Sequence, residues 1–261
     1  MKDALKYIVP VVVGIAALAL WQFLVHYYQT PVFVLPAPSD IGTAFVTDFD
    51  SLVSALWTTS RIVVLAFALA LVSGVLLAVI FSQSRIIENA FYPYAVVLQV
   101  TPTVSIAPLI IIWVHYENID LALLILAWII AFFPILANTT LGLRSADFNL
   151  IDLFKLYGAS RWQILWRLQL PSALPNLLGA MKVSGGLALV GTVVAEFAAG
   201  TGTATGLGWT ITEAGNRLHI ATMFAALAIL AMLGVAIFAL LSGMEWLLLH
   251  RWHESAVKKQ V

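Results

Sequence analysis

The sequence predicts an all-α protein that crosses a membrane six times and forms one domain over residues 1–261. Three observations predict this class: an apolar composition, six long apolar stretches, and a single long charged segment between them. Of the 261 residues, 62% are hydrophobic and 10% are charged, and the mean hydropathy is +0.99. A soluble domain of this length would need a more charged surface, so lipid must be the main solvent.

Charge and cysteine content exclude several classes of protein. The formal net charge is zero, which leaves no basic footprint for nucleic acid. The chain has no cysteine, so neither a disulfide framework nor a thiolate metal site is possible. We therefore expect membrane lipid, and no nucleic acid, among the binding partners.

Each apolar stretch is close to the ~20 residues that cross a bilayer core. The first stretch follows a short basic start and lacks a small-residue cleavage pattern, so we expect a retained span rather than a signal peptide. The predicted spans cover residues 7–28, 56–81, 91–114, 121–141, 177–199 and 221–249. The connectors between them should alternate between the two sides of the membrane.

The basic residues of the connectors predict the orientation. If the N-terminus is inside, Arg217 is the only basic residue in the outer connectors. The inner side then holds Lys2, Lys6, Arg85, Arg144, Lys155, Arg161, Arg167, Arg251, Lys258 and Lys259. Because Lys and Arg are enriched on the cytoplasmic side, both termini and residues 144–176 are expected there.

Two connectors are expected outside. The first, TPVFVLPAPSDIGTAFVTDFDS, is rich in proline and then acidic, which predicts an extended loop followed by a short surface helix. The second, GTGTATGLGWTITEAGNRLH, predicts a flexible loop and a short helix that begins near Thr210. Both could be simple connections, although the second lies where a pore would open.

The charged segment 144–176 has signals for two helices. Asp147 is a candidate N-cap and Gly158 a C-terminal stop for the first helix. Its apolar stripe consists of Leu150, Leu153, Phe154 and Tyr157. Ser160 is the candidate cap of a second helix that ends before Pro171. In that helix one face carries Trp162, Leu165 and Trp166.

The first of these helices has about ten residues, which is too short for stability alone in water or for spanning a membrane. It must therefore pack against something. The Trp and Arg residues nearby would suit a helix that lies in the headgroup layer. A helix that docks on a partner protein is an equally good interpretation of the residues alone.

The helix of the third span should be broken or kinked, because it contains Pro102 and Pro108. Irregular backbone at membrane depth is tolerated where it lines a water-filled cavity, so this span is a candidate translocation path. Its polar side chains are Gln99, Thr101, Thr103 and Ser105. Alternatively, these groups only satisfy carbonyls that the prolines leave free.

Four ionisable residues fall inside the spans, where a charge is costly to bury unless it is paired or reaches the interface. Arg61 and Lys182 lie near span ends, so we expect them to snorkel to the interface. Glu245 could reach His250 or Arg251. Glu196, at the outer end of the fifth span, is a candidate for a gate or pore mouth; the alternative is a pair with Arg61.

Segment 144–176 resembles the cytoplasmic loop of ATP-binding-cassette importer permeases, the binding-protein-dependent inner-membrane components. Their signature is E-A-A, three residues, Gly and a later Leu-Pro pair. Asp152 occupies the Glu position, Leu153 and Phe154 replace the alanines, and Gly158 matches the glycine. The end of the signature is matched by Leu170-Pro171 and Leu174-Pro175.

Other stretches, in chain order, resemble the sulfonate, nitrate and taurine branch of that family. They are LPAPSD, QVTPTVSIAPLIIIW, FFPILANTTLGLRSAD, YGASRWQILWRLQLPSALP and VVAEF, the last of which contains Glu196. The resemblance covers nearly the whole chain. The replacement of EAA by DLF is its main departure from the family pattern.

The resemblance implies a permease subunit in a bacterial inner membrane, in which a short helix docks in a groove of a separate ATPase. The implied coupling residues are Asp152, Lys155, Tyr157, Gly158, Ala159, Pro171 and Pro175. The implied partners are a second permease copy, two ATPase subunits and an extracytoplasmic solute-binding protein. The implied solute is a sulfonate-, nitrate- or taurine-like anion, or a pyrimidine or flavin vitamin precursor.

The chain itself carries no GxxxxGK[ST] phosphate loop, so we expect no nucleotide site and no enzymatic activity of its own. His250 and His253 lack a third ligand nearby, and we expect no metal and no cofactor. An ion-coupled secondary transporter or channel subunit is the alternative function, although the two halves show no convincing repeat. A membrane anchor that moves no solute is a third possibility.

Overall fold

The computed structural model describes residues 2–199 and 205–250, and within these ranges every regular element is helical. The α-helices are α1 (Lys2–Tyr27), α2 (Pro38–Thr47), α3 (Phe49–Gln83), α4 (Arg85–Val100), α5 (Thr103–Val114), α6 (Ile119–Arg144), α7 (Phe148–Leu156), α8 (Arg161–Ile164), α9 (Leu170–Ala199), α10 (Leu207–Asn216) and α11 (Ile220–Leu249). The predicted all-α membrane fold is confirmed. Four residues with roles predicted from the sequence lie outside the described residues: Arg251, His253, Lys258 and Lys259. Residues 200–204, which form most of the Gly- and Thr-rich loop, also lie outside them.

Among the described residues, five helical segments are long and apolar enough to cross a membrane. They are Ile8–Tyr27, Phe49–Gln83, Ile119–Arg144, Arg161–Ala199 and Ile220–Leu249. Each contains most or all of one predicted span. The short helices predicted within the two outer connectors correspond to α2 and α10. Helix α10 begins at Leu207, three residues before the predicted start near Thr210.

The third predicted span is two helices rather than one. Helices α4 and α5 meet at a bend of 101°, and together they pass the length and hydropathy test for one further span. The backbone is extended at Thr101 and Pro102. Pro102 causes the break because it has no N–H for the carbonyl of Leu98, whereas Pro108 is accommodated inside α5.

The prediction that the second cytoplasmic helix ends before Pro171 is wrong. A π-helical stretch, Leu165–Gln169, joins α8 to α9, and the helix continues through Pro171 and Pro175. The N–H of Leu170 donates to the carbonyl of Leu165, five residues earlier. This wider π spacing directly before Pro171 lets the chain absorb the proline ring without ending the helix.

The chain divides into two compact units, Met1–Thr58 with Thr205–Ala231, and Thr59–Ala204 with Met232–Val261. In the first unit, Gln22 of α1 donates to the hydroxyl of Ser39 at 3.0 Å, and the hydroxyl of Thr222 donates to Asp48 at 2.7 Å. A small buried core consists of Ala44, Leu52, Ala55, Leu207, Ala225, Ala226 and Ile229. The prediction of one permease domain over residues 1–261 stays a prediction.

In the second unit, α6 and α9 pack closely against each other. A Cβ atom on Gly191 would lie 2.9 Å from the Cα of Ala127, so only glycine permits this approach. The buried core around the two helices includes Phe81, Phe132, Ile135, Leu136, Leu143 and Leu165. Small residues at helix contacts are the usual means of close packing in membranes.

Ion pairs within the second unit correct three predictions about charges in the spans. Arg61 pairs with Asp120 at the start of α6, so it does not simply snorkel and does not pair with Glu196. Lys182 of α9 and Glu245 of α11 pair with each other at 2.6 Å, rather than with the interface or with His250. Pairing removes most of the cost of holding these charges in spanning helices.

Candidate functional site

Helix α7 has well-formed caps at both ends. Asp147 accepts a hydrogen bond from the N–H of Asn149 at 2.8 Å, as its predicted N-cap role requires. At the other end, Gly158 has φ +72°, its N–H donates to Lys155, and the N–H of Ala159 donates to Phe154. These two bonds form a Schellman motif, so the predicted stop at Gly158 is confirmed.

The next helix begins directly after this stop. The hydroxyl of Ser160 accepts from the N–H of Gln163, while the side chain of Gln163 accepts from the N–H of Ser160. This capping box confirms Ser160 as the predicted cap. Only one residue separates Gly158 from the cap, so the turn between the two helices is tight.

The apolar stripe of α7 is only partly covered, since Phe154 is half-buried while Leu150 and Leu153 are 43% and 45% exposed. No residue of α7 is buried in the chain, and Leu156 and Tyr157 are each 85% exposed. Trp162 and Trp166 are also exposed, whereas Leu165, predicted to share their face, is buried because the π stretch begins there. A nine-residue helix with no buried residue depends mainly on its caps and connections.

The predicted coupling residues fall into three groups. Tyr157, Gly158 and Ala159 lie together in a concavity of about 360 Å³, whose other lining residues are Leu153, Phe154, Gln163 and Arg167. Asp152 and Lys155 form an exposed i, i+3 ion pair at 2.9 Å. Pro171 and Pro175 lie in α9 and do not line this concavity.

A second feature near α7 was not predicted. Glu88, in the first turn of α4, pairs with Arg144 at the end of α6, three residues before the Asp147 cap. The pair lies in a cavity of about 450 Å³ together with Arg85, Asn89, Phe148 and Ile151. The available signal was the single carboxylate of α4, close to Arg85 and Asn89 in its first turns. The pair fixes the point from which α7 departs.

The α4–α5 break contains most of the predicted translocation-path residues. Gln99, Thr101 and Thr103 line a cavity of about 280 Å³ together with Leu98, Val100, Pro102, Ile129 and Ile130. Ser105 is exposed but does not line it. The hydroxyl of Thr101 donates to the carbonyl of Val97 at 2.7 Å, which is a bond within α4 and not to the carbonyl that Pro102 leaves free.

Glu196 lies apart from this cavity. Its side chain is fully buried, and the hydroxyl of Thr59 donates to it at 2.8 Å. A buried carboxylate that accepts a hydrogen bond ties α9 to α3 within the second unit. Within residues 2–199 and 205–250, no three His, Asp or Glu side chains are grouped to hold a metal ion.

Residues 70–252 match the family model described as "Binding-protein-dependent transport system inner membrane component". The riboflavin transport system permease protein RibX of Chloroflexus aurantiacus is 35% identical, over 91% of this chain and 87% of that protein. The formylaminopyrimidine transport permease protein ThiX of Halalkalibacterium halodurans is 30% identical, over 95% and 98%. A putative aliphatic sulfonates transport permease protein, SsuC of Bacillus subtilis, is 29% identical, over 83% and 78%.

The fold also matches a solved structure. The chain superposes with a TM-score of 0.63 and 16% identity on a chain in the crystal structure of an amino acid ABC transporter with histidines, covering 79% of this chain and 96% of that one. At this identity the likeness concerns the fold alone. The family model and the relatives carry the assignment: this chain belongs to the binding-protein-dependent inner-membrane components, the permease subunits of ATP-binding-cassette transporters.

Proposed function

We propose that this permease subunit moves a small solute inward, and that α7 transmits the movement of a separate ATPase to the spanning helices. The observation that carries the proposal is a doubly capped helix that has no buried residue and whose apolar side chains are largely exposed in the described chain. A capped helix transmits displacement, whereas an uncapped loop would absorb it. The exposed Leu156 and Tyr157 supply the apolar contact surface for the ATPase.

The α4–α5 break supports a path between two copies of the chain. It lies against Ile129 and Ile130, near the middle of the 26-residue α6, and Gln99 and Pro102 are exposed in the single chain. An exposed amide and extended backbone at this depth cannot face lipid, so water or protein must cover them. A homodimer whose two breaks face a shared water-filled path meets this requirement.

The whole importer then contains two permease copies, two ATPase subunits that hydrolyse the ATP, and an extracytoplasmic solute-binding protein. The termini and α7 are cytoplasmic, in agreement with the distribution of basic residues. The relatives are named for riboflavin, a formylaminopyrimidine and aliphatic sulfonates. The solute class accordingly includes sulfonate-, nitrate- and taurine-like anions and pyrimidine or flavin vitamin precursors. Glu196 stays a proposed residue of the outer end of the path.

Substitutions at Gly158 test the coupling role. A Cβ at this position would meet no atom within 4 Å in the chain, so Ala and Leu share the same strain from φ +72° and differ only in how far they project. That strain is about 1–2 kcal/mol. We expect Gly158→Leu to abolish ATP-driven uptake and co-purification of the ATPase, and Gly158→Ala to reduce uptake only partly. Uptake and ATPase recovery are measured on membranes that contain equal amounts of each variant.

The matched control is Gly14→Leu, at another open glycine in the exposed face of α1. It should insert and transport normally. Asn tolerates the left-handed conformation, so Gly158→Asn separates backbone strain from size. Normal uptake and ATPase recovery with Gly158→Leu would show that no partner approaches Gly158, and the coupling proposal would fail.

A further inference from the structure

The cavity at the α4–α5 break has the features of a solute-binding site as well as those of a transport path. Its volume of about 280 Å³ is slightly below the about 300–1,000 Å³ that ligand pockets usually have, so only a small ligand would fit. The amide of Gln99 and the hydroxyls of Thr101 and Thr103 stand beside an apolar wall formed by Ile129 and Ile130. A few polar groups against an apolar wall are the usual composition of a site for a small organic molecule.

No residue that lines this cavity is ionisable. The basic residues inside the predicted spans are engaged elsewhere: Arg61 with Asp120, and Lys182 with Glu245. Glu196 accepts from Thr59. An anion that entered the cavity would lose its hydration without gaining a cation, which is costly at membrane depth. The same cost applies to a cation.

The backbone at the break adds balanced partial charges. The cap residues satisfy two of the terminal groups, since the N–H of Thr101 donates to the carbonyl of Val97 and Pro102 accepts from the N–H of Ser105. The other last carbonyls of α4 and first N–H groups of α5 lack the intrahelical partners of a helix interior, and residues from both helix ends line the same cavity. A helix carries partial negative charge at its C-terminus and partial positive charge at its N-terminus. The two ends together therefore present acceptors and donors with little net charge.

The side chains of the cavity have the same balance. Gln99 offers both an N–H₂ donor and a carbonyl acceptor, and Thr103 offers a hydroxyl that can do either. The hydroxyl hydrogen of Thr101 is used by Val97, so its oxygen remains as an acceptor. The complementary solute is a neutral, planar molecule that has donors and acceptors on its edge and apolar ring faces for the isoleucines.

From this match we infer that the permease itself binds its solute at the α4–α5 break, and that the solute is an uncharged nitrogen heterocycle of the aminopyrimidine or cyclic-amide class rather than an inorganic or sulfonate anion. The inference rests on the proposed transport function, since it places a solute on the proposed path. The solute would then be recognised twice, first by the expected solute-binding protein and then by a binding site within the permease.

Cysteine protection tests the site directly, because the chain has no native cysteine. The Thr103→Cys variant is purified as the complex with its ATPase in lipid nanodiscs, and its rate of modification by a maleimide is measured. The probes are 4-aminopyrimidine and ethanesulfonate, at equal concentration, ionic strength and pH. Ser105→Cys is the matched control, since Ser105 lies two residues along α5 and outside the cavity lining.

We expect 4-aminopyrimidine to slow modification of the Thr103→Cys variant several-fold, with a saturable dose dependence, and to leave the Ser105→Cys variant unchanged. Ethanesulfonate should protect neither. Equal or better protection by ethanesulfonate would overturn the solute class. Protection by neither probe, or equal protection of both variants, would overturn the site.

A further arm separates this inference from the proposed function. The same Thr103→Cys complex is trapped with ADP and vanadate, and its modification rate is compared with the rate without nucleotide. A change in rate without protection by 4-aminopyrimidine would retain the ATP-coupled path and reject the site. An unchanged rate, together with normal uptake by Gly158→Leu, would reject the proposed function itself.

Discussion

The α6–α9 contact and helix α7 belong to the same compact unit but obtain their structure in opposite ways. At the α6–α9 contact each helix is positioned by the other, and Gly191 lies so close to Ala127 that no side chain fits between them. Helix α7 has no buried residue, and its limits are set by Asp147 and by the Schellman motif at Gly158. The first region depends on tertiary packing, whereas the second depends on local capping.

This difference separates stability from function. A change at the α6–α9 contact should unfold the unit before it alters any interaction with a partner. A change on the exposed face of α7 should leave the unit folded and alter only what docks there. Substitutions at three sites test this separation through the free energy of unfolding.

The largest effect is expected for Gly191→Ala. The new Cβ would lie 2.9 Å from the Cα of Ala127, and backbone atoms cannot rotate away, so α6 and α9 must separate. Overpacking of this kind costs about 1–3 kcal/mol. The measurement is the unfolding midpoint in detergent, followed by circular dichroism with increasing denaturant.

Gly186→Ala is the control, because Gly186 lies in the same helix with no atom within 4 Å of its added Cβ. Replacing a helical glycine by alanine there should be neutral or stabilising, by up to about 1 kcal/mol. If both variants lost equal stability, the close α6–α9 contact would not be a determinant of folding.

The sequence predicts these two regions with different success, for a physical reason. Asp147, Gly158 and Ser160 were correctly identified because capping depends on a few consecutive residues, and the break before α5 followed from Pro102. Pro171 was misinterpreted as a helix end, since the π stretch that accommodates it has no comparable local signal.

Ion pairs between residues distant in sequence could not be predicted from local sequence patterns. Lys182 and Glu245 are 63 residues apart, and only the packing of α9 against α11 brings them together. Glu88 was missed as the partner of Arg144 for the same reason. In the candidate path, Gln99, Thr101 and Thr103 are adjacent in sequence and were found, whereas the contact with Ile129 and Ile130 depends on tertiary structure.

An intermediate effect is expected for Lys182→Met. The side chains of Lys182 and Glu245 are 25% and 28% exposed, so removal of the lysine leaves a largely buried carboxylate without its cation. We expect a loss of about 1–2 kcal/mol, below the ~3–5 kcal/mol measured for fully buried pairs. The double variant Lys182→Met with Glu245→Leu should recover most of that loss. A double variant as unstable as the sum of its single variants would mean that the pair is not coupled.

The smallest effect on stability is expected for the same kind of ion pair on α7. The side chains of Asp152 and Lys155 are 69% and 62% exposed, and an i, i+3 pair on a helix surface contributes about 0.2–0.5 kcal/mol. The free energies of unfolding of the Asp152→Asn and Lys155→Met variants should therefore be within about 0.5 kcal/mol of the wild-type value. If α7 docks on the ATPase through this face, both variants should still lower ATP-driven uptake, because the charges then contact the partner. Loss of stability comparable to that of Lys182→Met would instead place α7 in the folded core, and the contrast between the two regions would not hold.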